Sequence, residues 1–368
     1  MTQNKKALIL SILFVTVVSM SPAKCCMVLK ESRDNVARYL KNEVKQALSD
    51  ARFLTTTSLT CMQALVLFLI GLYAEKEQHA FRSMTALVLR RAKGMNLHRD
   101  GTHFGLTPFR AEMRRRLWWM ICLLDVYSCE DHAREPIINE EMYDVRLPLN
   151  VNDDDLFPGM QALPPERTGG TEMTFCLLRF ETISILRSAS STAGSSIRDI
   201  KEVSNDDRLC KVQKIRQYLD ETYLKHCDQN IPIFWVGAAV TRLIMAKACL
   251  SAHHQILDLD NGPPQPPLIG EKLIQLAVEI LQLDYELRDH PVMFQWGWHL
   301  RSCTQWHGMA VALSAQYLHP ANSVSAGHAS QLVNSLSTEE GGRPNRRKGA
   351  IWYRSVSRLP ARASEVDD

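Results

Sequence analysis

Apolar positions recur along most of this chain at helical spacing. From Thr60 to Tyr73 they fill every side, with Met62, Ala64, Leu65, Val66, Leu67, Phe68, Leu69, Ile70 and Leu72. A helix apolar all round must be enclosed by others, so this one is expected at the centre of the fold. The next stretch puts Phe81, Met84, Thr85, Val88, Ala92 and Met95 on one face, with Gly94 at its expected end. Thr107-Pro108 then supplies an N-cap and a proline at the first helical position. Phe109, Met113, Leu117, Met120, Ile121 and Leu124 make the stripe of the helix that follows. Leu209–Leu224, Val236–Leu257, Glu271–Leu287 and Trp296–Tyr317 continue the pattern. No alternating strand series and no Gly-rich strand-to-helix turn interrupts it. The expected class is all-α, a set of packed antiparallel helices.

The first residues admit two readings. Lys5 and Lys6 precede an apolar run from Ala7 to Val18, followed by small residues to Ala23, the composition of a secretory leader. The same run reads as a core helix, because Ser21-Pro22 has the form of an N-cap and first helical proline opening the next helix. No asparagine opens an Asn-x-Ser/Thr acceptor, and a bilayer needs ~20 apolar residues. Core helix is the reading adopted. A secreted α-helical protein, with residues 1 to 24 removed, is the alternative.

Composition divides the chain further. Residues 1–187 form a first helical half. Residues 188–207, rich in Ser, Ala, Thr and Gly and then polar, read as a flexible linker. Residues 208–318 form a second helical half, broken by the proline run within 261–267, and residues 319–368 a basic, loosely ordered tail. The net charge of +3 names no partner by itself, but residues 343–362 hold seven basic side chains and no acidic one. Ten cysteines lie scattered without a Cys-x-x-Cys pair, as in a reducing compartment.

Around the Thr107-Pro108 helix the residues form a recognisable set. Leu97-His98-Arg99-Asp100 is followed by Pro108 to Trp119, with Arg114-Arg115-Arg116-Leu117-Trp118-Trp119 at its heart, then by Asp125 and Cys129-Glu130-Asp131-His132. Asp144 to Leu156, which includes Pro148 and Asp153-Asp154-Asp155, and Pro164 to Thr174 extend it. This set resembles the fungal-specific transcription factor domain, over residues 7 to 187 and more thinly afterwards. An Ala51–Leu72 helix fits the same pattern. The resemblance implies an all-α regulatory region in a nuclear transcription regulator, set behind a six-cysteine zinc cluster that reads DNA. The Cys-x-x-Cys pairs of such a cluster are absent from this sequence, and Ala133 stands where members often carry glycine. No cofactor is therefore expected in the chain. DNA is expected only indirectly, through a partner or a missing upstream domain. A protein partner or second copy and a small-molecule effector are the other expected contacts, with no membrane.

Two chemistries compete for the signature. Glu112 is spaced to pair with Arg115 at i,i+3 and with Arg116 at i,i+4. Arg114, Arg115 and Arg116 could clamp Asp153-Asp154-Asp155 or an anionic ligand, or could belong to a structural ion-pair network; the network is the reading preferred. His299, Cys303 and His307 share a helix face at metal-capable spacing, but no fourth ligand accompanies them. Asn150 to Asp155 lacks the glycine and distal glutamate of a calcium loop. No nucleophile elbow, phosphate loop or dinucleotide fingerprint occurs, so no enzyme is expected. Arg346, Arg347 and Lys348 suit nuclear import or loose phosphate contact.

Overall fold

The computed structural model describes residues 2–130, 136–183, 205–254 and 267–299. All regular structure among them is helical, as expected. The chain divides into two compact units. The first holds the described residues up to 183, with 222–235 and 291–299; the second holds 205–221, 236–254 and 267–290.

The first unit opens with α1 (Gln3–Ser19), capped by the Thr2 hydroxyl. Its buried positions, Ala7, Ser11, Phe14, Val17 and Val18, fall on one face. The Ser21 side chain accepts the Lys24 N–H at 3.2 Å and starts α2 (Pro22–Leu29), the capping read from Ser21-Pro22. Ser32 caps α3 (Arg33–Asp50), and Ser58 caps α4 (Leu59–Ala74). Helix α4 is the enclosed one and packs against α1, α5 (Gln78–Gly94) and α6 (Pro108–Glu130). Phe14 of α1 meets Phe68 with ring centroids 5.6 Å apart. A Cβ at Gly71 would lie 2.4 Å from the Phe14 ring, so glycine is what lets α1 approach so closely. Removal of residues 1 to 24 would take this core helix away.

The helix ends correct one reading and bear out another. The expected Ala51–Leu72 helix is broken, since α3 stops at Asp50 and α4 starts at Leu59. Arg52 takes a left-handed φ of 51°, and the Phe53 N–H returns to Leu48 O at 3.1 Å. Gly94 is the last helical residue of α5, the end expected for that helix. Asn96, with φ 54°, makes the turn: its N–H bonds Lys93 O, and the Leu97 N–H bonds Ala92 O at 2.9 Å. This pair of bonds is a Schellman motif, closed by the fully buried Leu97.

After α6, residues 136–173 are irregular apart from 3-10 turns at Glu140–Met142 and Asp153–Asp155, and α7 (Thr174–Glu181) follows. Three longer helices follow, α8 (Asn205–Thr222), α9 (Pro232–His254) and α10 (Pro267–Asp289), and single turns at Met293–Trp296 and Gly297–His299 end the described chain. Within the second unit Ala277, Ile280, Leu281 and Leu287 are buried, and Arg288 bonds Asp284 at 2.8 Å. Pro232–Leu250 is long and apolar enough to cross a membrane by composition, yet 61% of that window is buried in the protein. Most of the linker read at 188–207, most of the 261–267 break and the tail from 319 lie outside the described residues.

Candidate functional site

The site grows from the first three turns of α6. Successive residues on a helix point about 100° apart, so Arg114, Arg115 and Arg116 must take three directions. Arg115 turns inward and is 2% exposed. Its Nε and Nη2 donate to the two oxygens of Asp100 at 2.8 and 2.9 Å, a two-point pairing. Asp100 sits just beyond the Schellman turn of α5. It also accepts the Thr102 N–H and hydroxyl, and so caps the 3-10 turn Gly101–Phe104. Burial alone would raise its pKa; the bonds from Arg115 and Thr102 outweigh that and hold the carboxyl well below the usual carboxylate range.

Glu112 is fully buried and joins three groups. Its Oε1 accepts the Leu149 N–H at 3.1 Å and Arg116 Nε at 3.3 Å, and its Oε2 lies 3.5 Å from Arg115 Nη1. Here burial prevails over those partners, and the pKa is raised. Arg116 continues outward to Asp153 Oδ1 at 2.6 Å. Arg114 points the other way. Its Nη2 donates to the Met95 and Asn96 carbonyls at 3.0 and 2.8 Å, satisfying acceptors that the end of α5 leaves open. Its guanidinium lies 6.0 Å from the Phe104 ring centroid.

The tryptophans fill the next turn. Trp118 is fully buried, with ring centroids of His98 at 6.2 Å and Tyr143 at 5.7 Å. Trp119 donates its Nε1–H to Arg146 O at 2.9 Å and packs on Tyr143 and on Phe180 of α7. Deeper on α6, the buried Asp125 accepts the Ile138 N–H at 2.8 Å. Pro148 is buried within the returning chain. The stripe read for this helix is too narrow: Phe109, Met113 and Met120 are only half-buried, while residues from Leu117 to Val126 are buried on nearly every side.

The acidic loop divides rather than facing the arginines together. Asp153 meets Arg116, Asp154 is exposed, and Asp155 accepts Arg167 Nε and the Asn152 N–H at 2.8 and 2.9 Å. A capping box in this one-turn helix fixes that split. In the sequence Asn150 and Asp100 stand only within wider runs, with no role of their own. The Asn150 side chain donates to Arg167 O and Gly169 O and accepts from Thr171 and Thr174, so it ties two arms of the irregular segment together. Its only sequence signal is an asparagine amid turn formers.

Among the described residues, no three His, Cys, Asp or Glu side chains converge in a way that could hold a metal ion, and no disulfide joins the described cysteines. The donor set of a zinc cluster is thus not found there. Cys303, His307, Arg346, Arg347 and Lys348 lie outside the described residues.

Comparison with known proteins places this geometry. The chain is similar to the aurofusarin cluster transcription factor aurR2 of Gibberella zeae, 28% identical over 87% of this chain and 48% of that relative. It is 28% identical to the C6 finger domain transcription factor nscR of Aspergillus fumigatus, over 84% of this chain and 40% of the relative. The pyriculol/pyriculariol biosynthesis cluster transcription factor 1 of Pyricularia oryzae is 37% identical over 48% of this chain and 24% of its own length. The chain spans about half the length or less of these relatives. The first two alignments, 321 and 326 residues long, also carry the likeness well past residue 187. No solved structure matches. Residues 2–169 match the fungal specific transcription factor domain, a span that holds α1 to α6 and the whole Arg115 cluster. Over residues 2–169 this chain is similar to the fungal specific transcription factor domain family.

Proposed function

We propose that this chain is the regulatory region of a zinc-cluster-type transcription regulator acting in the nucleus. Sequence-specific contact with DNA comes from a module outside these residues or carried by a partner. The match over residues 2–169 carries this reading, together with relatives named as transcription factors along most of the chain. The α6 cluster supports it differently. Its charges are spent on one another and on backbone groups, the character of a scaffold rather than of a reaction centre. A protein partner or a small metabolite then acts by favouring one packing of this helical region over another. Two relatives are named for biosynthetic clusters, and genes of that kind are the targets proposed. Arg346, Arg347 and Lys348 serve nuclear import in this account.

The test is a fusion of residues 1–368 to an unrelated DNA-binding domain, with a reporter gene carrying its sites in a fungal host. Reporter output should rise or fall severalfold relative to the DNA-binding domain alone. Output equal to that control, with the fusion present in the nucleus, counts against the proposal.

A further inference from the structure

The segment from Tyr143 to Gly170 crosses the side of α6 with almost no regular structure. Few apolar side chains hold it down: Tyr143 packs on Trp118 and Trp119, Val145, Pro148, Val151 and Met160 are buried, and most of its other residues are exposed or half-buried. Polar ties do the rest. Asp144 accepts the Asp100 N–H at 2.7 Å, Arg146 O accepts from Trp119, the Leu149 N–H reaches Glu112, and Asp153 pairs with Arg116. Asn150 binds the outgoing arm to the returning one, and Arg167 N–H closes the same junction on Asn150 O at 2.9 Å. Elements with little apolar contact and many polar ties are the ones that open locally while the rest of a protein stays folded.

We propose that residues 143–170 form a strap that opens from α6 as one unit while the core around α4 stays folded. Opening bares Glu112, Arg116 and Trp119 together. Two features argue for release as a unit. The Asn150 junction means that neither arm can leave without breaking bonds to the other. The closed state also leaves Arg116 Nη2 buried without a hydrogen-bond partner and Glu112 Oε2 with only the 3.5 Å ion pair to Arg115, a cost that opening to water lowers. The strap is thus a conformational device in the regulatory region, and it stands whether or not the chain regulates transcription.

Amide hydrogen exchange of the full chain tests this, comparing the parent with Asn150→Ala. Loss of the junction should speed exchange at the Leu149, Val151 and Arg167 amides by one common factor, about tenfold or more. The amides of α4 should keep the parent rate. Asp153→Ala with Arg167→Ala, which removes two ion pairs each with an exposed partner, is the milder variant should Asn150→Ala not fold. It should move the same amides together by roughly threefold. Faster exchange only beside the substituted residue shows that the strap is not one unit. Acceleration in α4 by the same factor shows that it opens only with the whole domain. Either result overturns the proposal.

Discussion

Replacing Arg115 by methionine removes the cation at the centre of the site and keeps most of its volume. What remains is severe. Asp100 loses bonds of 2.8 and 2.9 Å, and Glu112 loses its nearest neighbour to Oε2, while both carboxylates stay buried. Asp100 keeps Thr102, a long 3.4 Å bond from the Arg146 N–H and the exposed Arg146 guanidinium at 4.0 Å. Breaking a buried pair by deleting one partner costs ~3–5 kcal/mol, because it strands the other charge. Asp100→Asn in the same background removes one stranded charge. The double variant should therefore be less destabilised than the sum of the two singles by about 1–3 kcal/mol. Urea unfolding followed by tryptophan fluorescence gives all four stabilities. If Arg115→Met stays within ~1 kcal/mol of the parent, the cluster is not the lock that the geometry describes.

The tryptophans should separate by role: Trp118→Ala should cost ~3–5 kcal/mol, whereas Trp119→Phe, which loses the bond to Arg146 O and part of the ring packing, should cost less, about 1–3 kcal/mol. Equal melting of Trp118→Ala and parent would contradict the packing. Arg52→Gly, at a left-handed helix stop, should gain about 0.5–1 kcal/mol, and a loss in thermal melts would argue against strain there. The Asp100 carboxyl stands below its unfolded value of about 3.9, so its contribution is present above that pH and fades as pH falls towards the folded value. The stability gap between parent and Asp100→Asn should hold from pH 7 to about pH 5 and narrow by about 1 kcal/mol at pH 3, and a gap unchanged at pH 3 refutes the assignment.

Much of the first unit was legible because its signals are local. Helix α4 is apolar on every side, and Ser21-Pro22 and Thr107-Pro108 announce helix starts within two residues. Helix α3 was overlooked although Ser32 caps it and Ala37, Leu40, Val44, Ala47 and Leu48 mark its face, since polar residues dominate between them. The helix ends were harder. Arg52, Lys76 and Asn96 adopt the left-handed turns where glycine is the usual signal, although Gly94 did mark the last residue of α5. In the site, Glu112 and Arg116 were readable as neighbours on one helix. The pairing of Arg115 with Asp100 and of Glu112 with the Leu149 N–H joins separate segments, and no spacing rule reports it. The same limit hid Asn150, whose partners lie from Arg167 to Thr174.

The most direct test of the central claim is chromatin immunoprecipitation of the tagged chain in its native host, read with transcript levels after deletion of its gene. The account predicts enrichment at a defined set of promoters, whose transcripts change when the chain is lost. A nuclear, well-expressed chain with no promoter enrichment above the untagged control, and an unaltered transcript profile, would contradict it.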